Sequence, residues 1–316
     1  MSTASEELRL AWLALTLTPR MAVKRIQRAA ELLGNVERIF TASLTELESV
    51  GFPAESAQFV FSGRARQAAE VEAATTLALG AGFLCPQDEA YPAPLLNIFD
   101  PPTILWYRGT LTALAREGIA VVGTRHPTPY GTGMAQSLSR ELALRGLAIF
   151  SGMARGIDTA AHKGALEAGG TTVAVWGTGI DVIYPKENKR LAEDIVASGG
   201  VILTEFSTGT FPAVQNFPIR NRTLSGMSVG VLVVEGAEHS GTRITARCAL
   251  EQGRDVYAVP GNATNKNAWG PNTLIKQGAK LAGTWQDVWE DLPTQLRVGL
   301  EDDLAATANE SSTPTT

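Results

Sequence analysis

The sequence predicts an α/β protein, a mostly parallel sheet with helices on both faces preceded by a small all-helical domain, and two observations carry the prediction. Between Ile119 and Gly261 a short apolar run ending in glycine recurs five times: IAVVG to Gly123, LAIFSG to Gly152, VAVWG to Gly177, VGVLVVEG to Gly236 and VYAVPG to Gly261. Continuous Val/Ile/Leu/Ala runs without in-out alternation fit parallel strands buried on both faces. Upstream, Leu8, Ala11, Trp12 and Leu15 keep the i, i+3, i+4, i+7 spacing of an amphipathic helix.

Taken in order, further helices are expected near 22–33, 44–49 and 54–79, separated by breaks at Thr18-Pro19, Gly34-Asn35 and Gly51-Phe52-Pro53. Residues 80–116, with Pro86, Pro92, Pro94, Pro101 and Pro102, read as an extended lead-in to ILWYRG. Strands then alternate with helices, one of them over 132–145 with Met134, Leu138 and Leu142 on one face. The segment after Leu300 lacks apolar periodicity and reads as disordered. The expected domains are 1–79, 80–290 and a polar tail, 291–316.

The chain has 316 residues, 44% of them hydrophobic, enough for one large core and a smaller one. It contains no apolar run long enough to span a membrane, and Glu6 and Glu7 stand where a signal peptide is basic, so a soluble cytoplasmic protein is expected. Cys85 and Cys248 form no CxxC arrangement and read as core residues; neither a zinc site nor any other metal is expected. The net charge is −5, yet residues 118–280 hold 16 Lys+Arg against 12 Asp+Glu, so the glycine-loop region is basic within an acidic chain.

In an open parallel sheet the strand-end loops line the carboxyl edge, where ligands bind. Here they read GTR (123–125), SGMARGID (151–158) and SGT (240–242), residue types suited to anions, so a phosphate-bearing ligand is expected. Gly177-Thr178-Gly179 lacks the third glycine of a dinucleotide fingerprint and Gly123-Thr124-Arg125 the second, which argues against NAD; no cofactor is expected. There is neither a GxxxxGK[ST] loop nor a GxSxG elbow. Asp158 and His162, four residues apart, read as a capping carboxylate and its neutral partner, with a metal or nucleophile-polarising pair as the alternative.

The ordered set ARGID (154–158), YPKEN (184–188), FPIRNR (217–222), SGT (240–242), VPG (259–261) and LIKQGAK (274–280) resembles the DNA-processing protein A family, also called Smf, over about residues 85–282. The resemblance implies an extended Rossmann-like domain that binds single-stranded DNA in natural transformation, protects incoming strands and loads the RecA recombinase, usually as a homodimer. It also places a sterile-alpha-motif-like or helix-hairpin-helix-like domain at the N-terminus. The turn TPRMAV lacks the glycines of a true helix-hairpin-helix, so protein contacts rather than DNA contacts are expected there. Many members end in a winged helix, which the polar tail does not resemble.

The residues agree with DNA. Arg125 can fork onto a phosphate beside the amides of Gly123 and Thr124, and Gly152, Arg155, Lys163 and Lys186 lie on or near neighbouring loops. Arg220, Asn221 and Arg222 follow Asn216 at a predicted helix start, and 220 and 222 point about 200° apart on a helix, so one arginine can face the ligand while the other serves as an internal strut. Phe211 and Phe217 can stack on bases or pack into the core. Ser240, Gly241 and Thr242 resemble an anion nest opening a helix. A non-enzymatic DNA-binding protein is therefore expected. The competing reading is a nucleotide-binding protein or nucleoside-monophosphate phosphoribohydrolase, which carries PGGxGTxxE in the comparable loop; here Thr245 stands at the glutamate position and no general base is evident. Leu274, Ile275 and Leu281 are the expected self-association residues.

Overall fold

The computed structural model describes residues 4–238 and 240–311, the side chains of 307–311 excepted. The chain divides into two compact units: 1–108 with 178–182 and 203–211, and 109–177 with 183–202 and 212–316.

The first unit carries α1 (Glu6–Thr16), α2 (Val23–Leu33), α3 (Leu44–Ser49), α4 (Ala54–Phe61) and α5 (Arg64–Ala78), followed by an antiparallel pair, β1 (Gly82–Leu84) and β2 (Leu105–Gly109). Ser5 caps α1 through Leu8 N, and Ser43 with Glu46 closes a capping box on α3. The expected helix 54–79 is interrupted by Gly63, whose positive φ of 79° turns the chain between α4 and α5. In α1 Ala11, Trp12, Leu13, Ala14 and Leu15 are all buried, more than one stripe, because α1 packs against α5 and residues 37–41 and bonds to Asp88 and Thr103.

Contacts divide the chain at Arg108 rather than at residue 79. The reason is physical. Asp88, with its side chain buried, receives Arg9 Nε and Nη2 of α1 at 2.8 and 2.6 Å and the Cys85 amide at 2.9 Å. Thr16 Oγ1 lies 2.8 Å from Thr103 Oγ1. Residues 80–108 are thus tied into the helical unit. So is the distant loop 203–211: Glu72 of α5 accepts from Thr208 N and Oγ1 at 2.8 and 2.7 Å, and Asp181 accepts from Gly209 N at 2.8 Å.

The second unit runs β3 (Gly118–Val122), α6 (Pro129–Ala143), β4 (Ala148–Ser151), α7 (Ile157–Glu167), β5 (Thr172–Trp176), α8 (Lys189–Ala197), β6 (Val201–Thr204), α9 (Asn216–Met227), β7 (Gly230–Val233), α10 (Thr242–Glu251), β8 (Asp255–Ala258), α11 (Trp269–Lys276), β9 (Lys280–Leu281), α12 (Trp285–Trp289) and α13 (Thr294–Ser311). The division between the units falls within β6. All five strands expected from the glycine-ended runs are present. With β9 added at the edge they stand in the order β5-β4-β3-β7-β8-β9, every pair parallel. Ile119, Val121, Ile149 and Leu232 face a core built with Leu138, Leu142 and Ile157. Ala120, Val231 and Val233 are equally buried on the alternate face, and α10 packs against β7 and α9. No helix among the described residues is long and apolar enough to cross a membrane.

The expected polar tail is corrected over 294–311, which form α13; residues 312–316 lie outside the described residues. Leu292, Leu296 and Leu300 recur every four residues and join the sheet's core, Leu300 reaching Gly146. The apolar repeat ends at Leu300, so a reading begun at Glu301 sees only its solvated continuation. Leu300→Ala is therefore expected to lower unfolding free energy by about 2 kcal/mol in a urea titration, with an unchanged m-value.

Candidate nucleic-acid interface

Strand β3 has β4 on one side and β7 on the other: α6 leads from β3 to β4, and α9 later brings the chain to β7 on the opposite side, so the switch point lies beyond the carboxyl ends of β3 and β7. A cleft of about 830 Å³ opens there, lined by the loops after β3, β4 and β7, by α9, by the start of α10 and by Lys266 and Trp269.

The floor is set by Arg220. Its guanidinium is buried, donating through Nη1 to the carbonyls of Gly152 and of Val175 (2.6 Å), and through Nε to Asn221 Oδ1 (3.1 Å). Burial lowers its pKa, Asp158 opposes that shift, and Arg125 adds to it. Asp158, in the first turn of α7, is itself buried and accepts from Gly152 N (3.1 Å) and Ala154 N (3.2 Å); burial raises its carboxyl against the pull of Arg220 and these amides. Arg220 is the internal strut. Arg222, the other candidate, does not line the cleft.

The glycines expected to admit phosphate have another reason to be there. A Cβ on Gly152 would fall on the Arg220 guanidinium, one on Gly123 on the Ile157 side chain, and one on Gly177 within 3.1 Å of the Phe217 ring. Their lack of a side chain serves internal packing.

Arg125 is exposed, its guanidinium 5.2 Å from the Phe217 centroid. Phe217 is half-buried and lines the cleft, with Tyr184 at 5.9 Å and Arg220 at 6.0 Å, so the ring has packing neighbours while it also borders the cleft. The loop that carries Arg125 is held on both sides, since Thr124 N donates to Glu235 O (2.7 Å) and Ile157 N to Thr124 O (3.2 Å). Glu235, buried, accepts from Thr128 N (2.8 Å) and Oγ1 (2.7 Å) and so fixes the start of α6.

Ser240, Gly241 and Thr242 line the cleft, but Ser240 Oγ accepts from Thr242 N (3.3 Å) and Oγ1 (3.0 Å), which turns part of the expected nest inward. His239 lies outside the described residues. Of the other expected residues, Gly152, Arg155, Lys163, Lys186 and Asn216 do not line the cleft. Arg155 pairs with Glu187, which raises the arginine's pKa and lowers the carboxylate's. Asn216 is buried on the Gly177 carbonyl at 3.1 Å, and Lys163 and Lys186 are exposed. Phe211, 77% exposed, belongs to the first unit. Sequence reasoning missed Lys266 and Trp269, which reach the cleft because Gly236 N donates to Asn267 O (2.7 Å) and Gly270 N to Gly236 O (2.8 Å).

The expected partnership of Asp158 with His162 is replaced by another. His162 Nδ1 lies 2.7 Å from Thr172 Oγ1, which donates to Ile149 O at 2.7 Å, so the proton sits on Nδ1. Among the described residues Nε2 is buried without a hydrogen-bond partner.

The geometry is that of a doubly wound α/β unit with a switch-point crevice in which cations stand beside aromatic rings. The family described as DNA recombination-mediator protein A is matched over residues 82–293, and the chain belongs to it. Protein Smf of Escherichia coli K12 is 47% identical over 210 residues, 66% of this chain and 56% of that protein. The DNA processing protein DprA of Bacillus subtilis 168 is 45% identical over 204 residues, 64% of this chain and 68% of that protein. The crystal structure of DprA from Streptococcus pneumoniae superposes with a TM-score of 0.77 at 34% identity, covering 92% of this chain and 99% of that one. DNA processing protein A from Helicobacter pylori, whose structural description concerns its single-stranded DNA binding mode, gives 0.60 at 29% identity over 70% of this chain and 96% of that one.

Burial, reinforced by Arg220, pushes the His162 imidazole down to about 3 from its ordinary 6.5. The unfolded chain thus binds a proton below pH 6.5 that the folded chain refuses, and stability falls with pH between those values at about 1.4 kcal/mol per unit. Asp158, its carboxyl raised, acts in the opposite sense, so the difference between wild type and His162→Gln isolates the imidazole. In urea titrations the wild type is expected to lose about 2 kcal/mol more than His162→Gln between pH 7 and pH 5.

Proposed function

We propose that this chain is a non-enzymatic, cytoplasmic single-stranded DNA-binding protein that protects strands entering by transformation and helps load RecA on them, working as a homodimer. The observation that carries the DNA reading is Arg125, an exposed guanidinium held on a rigid strand-end loop at the mouth of a switch-point cleft. Membership in the family and the single-stranded DNA binding mode described for the Helicobacter pylori protein support it. The hydrolase alternative is not favoured: Thr245, buried at the cleft wall, offers no general base.

Fluorescence anisotropy tests the reading. Single-stranded oligonucleotides are expected to bind more tightly than duplexes, with a log-log salt slope of about −0.7 per phosphate contact. Arg125→Ala is expected to weaken binding about ten-fold or more, and Arg125→Glu further, at unchanged thermal stability. Arg220→Ala lowers the melting temperature instead, and Lys24→Glu in α2 does neither. Equal affinity for single and double strands, or Lys24→Glu as damaging as Arg125→Glu, refutes the assignment.

Among the residues expected to mediate self-association, Leu274 is buried within the protomer, whereas Ile275 is half-buried and Leu281, on edge strand β9, is 51% exposed. The proposed dimer uses this edge. Ile275→Arg is expected to convert a sedimenting dimer to monomer with unchanged circular dichroism; a wild-type monomer at micromolar concentration contradicts the proposal.

A further inference from the structure

Among the described residues of the second unit two large aromatics are exposed, Tyr130 (48%) and Trp269 (36%), and of these Trp269 lines the cleft. Trp176, Tyr257 and Phe150 are buried in or beside the sheet and Trp289 is buried at the end of α12, while Trp269 is 36% exposed on the cleft wall. An indole exposed in a concave, partly cationic site is informative in a way that a lone exposed leucine is not.

Its position is fixed by backbone. Gly236 both receives the Gly270 amide and donates to Asn267 O, and a Cβ on Gly270 would strike the Gly236 carbonyl, so the first turn of α11 sits against the loop after β7. Asn267 Nδ2 donates to His126 O at 2.9 Å, joining the same turn to the loop after β3. Ala268, beside Trp269, is buried where Gly261 leaves room for its methyl group. The indole therefore stands on a scaffold shared with Arg125, and little ordering is left for a ligand to induce. The Arg243 guanidinium lies 5.4 Å from the ring centroid and Lys266, three residues upstream, is exposed at the cleft. Phe217, by contrast, already has Tyr184, Arg125 and the Gly177 backbone as neighbours.

We infer that Trp269 is a nucleobase-stacking platform, with Lys266 taking an adjacent phosphate. The inference rests on the reading of the cleft as the strand site and adds to it a subsite for a base. The chemistry needed is a flat π-face beside a cation, which suits any base and so carries no sequence preference. The shared ligand chemistry, a base with its phosphate, could come from a strand or from a free nucleotide, and the two are separable.

The test uses the full chain with three ligands: a twenty-residue oligothymidylate, a strand of equal length made of abasic sites, and thymidine monophosphate. Tryptophan emission is expected to be quenched by the oligothymidylate and to be unaffected by the abasic strand. By anisotropy the wild type should prefer the oligothymidylate over the abasic strand by about five-fold or more. Trp269→Ala is expected to abolish that preference, and Trp269→Phe, which keeps a ring, to retain most of it. Equal loss on both strands in Trp269→Ala, or a full preference surviving in it, overturns the stacking role. Should Trp269→Ala fail to fold, the wild-type quench and Trp269→Phe decide alone. Quenching by thymidine monophosphate as complete as by the oligothymidylate at equal base concentration overturns the strand assignment in favour of a free nucleotide. If Arg125→Ala weakens both strands while Trp269→Ala changes neither, the subsite is wrong and the cleft reading stands; if Arg125→Ala weakens neither, the cleft reading itself falls.

Discussion

One buried cation organises the cleft. Arg220 is buried at the floor of the cleft, and a charge so placed is tolerable only if hydrogen-bond acceptors and an opposite charge converge on it. Those acceptors are the carbonyls of Gly152 and Val175 at the ends of β4 and β5, and the charge is Asp158 at the start of α7. Gly152 must be glycine because a side chain there would occupy the guanidinium's place. The register of two strands, the start of α7 and the placement of α9 thus meet at a single side chain. Because the buried charge is already satisfied, Arg125, over the Phe217 ring, is left to the solvent side.

The same arrangement shows how far the sequence was readable. The strands were legible because burial on both faces removes polar alternation, and each glycine-ended run proved to be one. The reason for the glycines was not legible, since Ile157, Arg220 and Phe217, which need the space, lie 34, 68 and 40 residues from Gly123, Gly152 and Gly177 respectively. The FPIRNR segment announced one strut and one ligand-facing arginine, yet nothing local tells a helix which of its sides is buried. The structure buries Arg220 and takes Arg222 away from the cleft.

Charge counts misled in a related way. Arg155 looked like a ligand cation by position, but Glu187, in the YPKEN loop, neutralises it. Lys266 and Trp269 carried no local mark, because the backbone contacts that bring them to the cleft run to Gly236, about thirty residues earlier. α13 was missed for a different reason: Leu292, Leu296 and Leu300 form a repeat with few turns, and the residues after Leu300 are exposed, so the segment reads as solvated chain when only its end is inspected.

The helical unit is discontinuous along the chain. Glu72 finds both of its hydrogen bonds at Thr208, and Asp181 holds the adjacent Gly209. A gene fragment ending at Arg108 would encode the helices without the residues that complete them, and transplanting that fragment onto another sheet would carry over an unsatisfied carboxylate. Moving the helical unit intact would therefore require residues 178–182 and 203–211 to travel with residues 1–108.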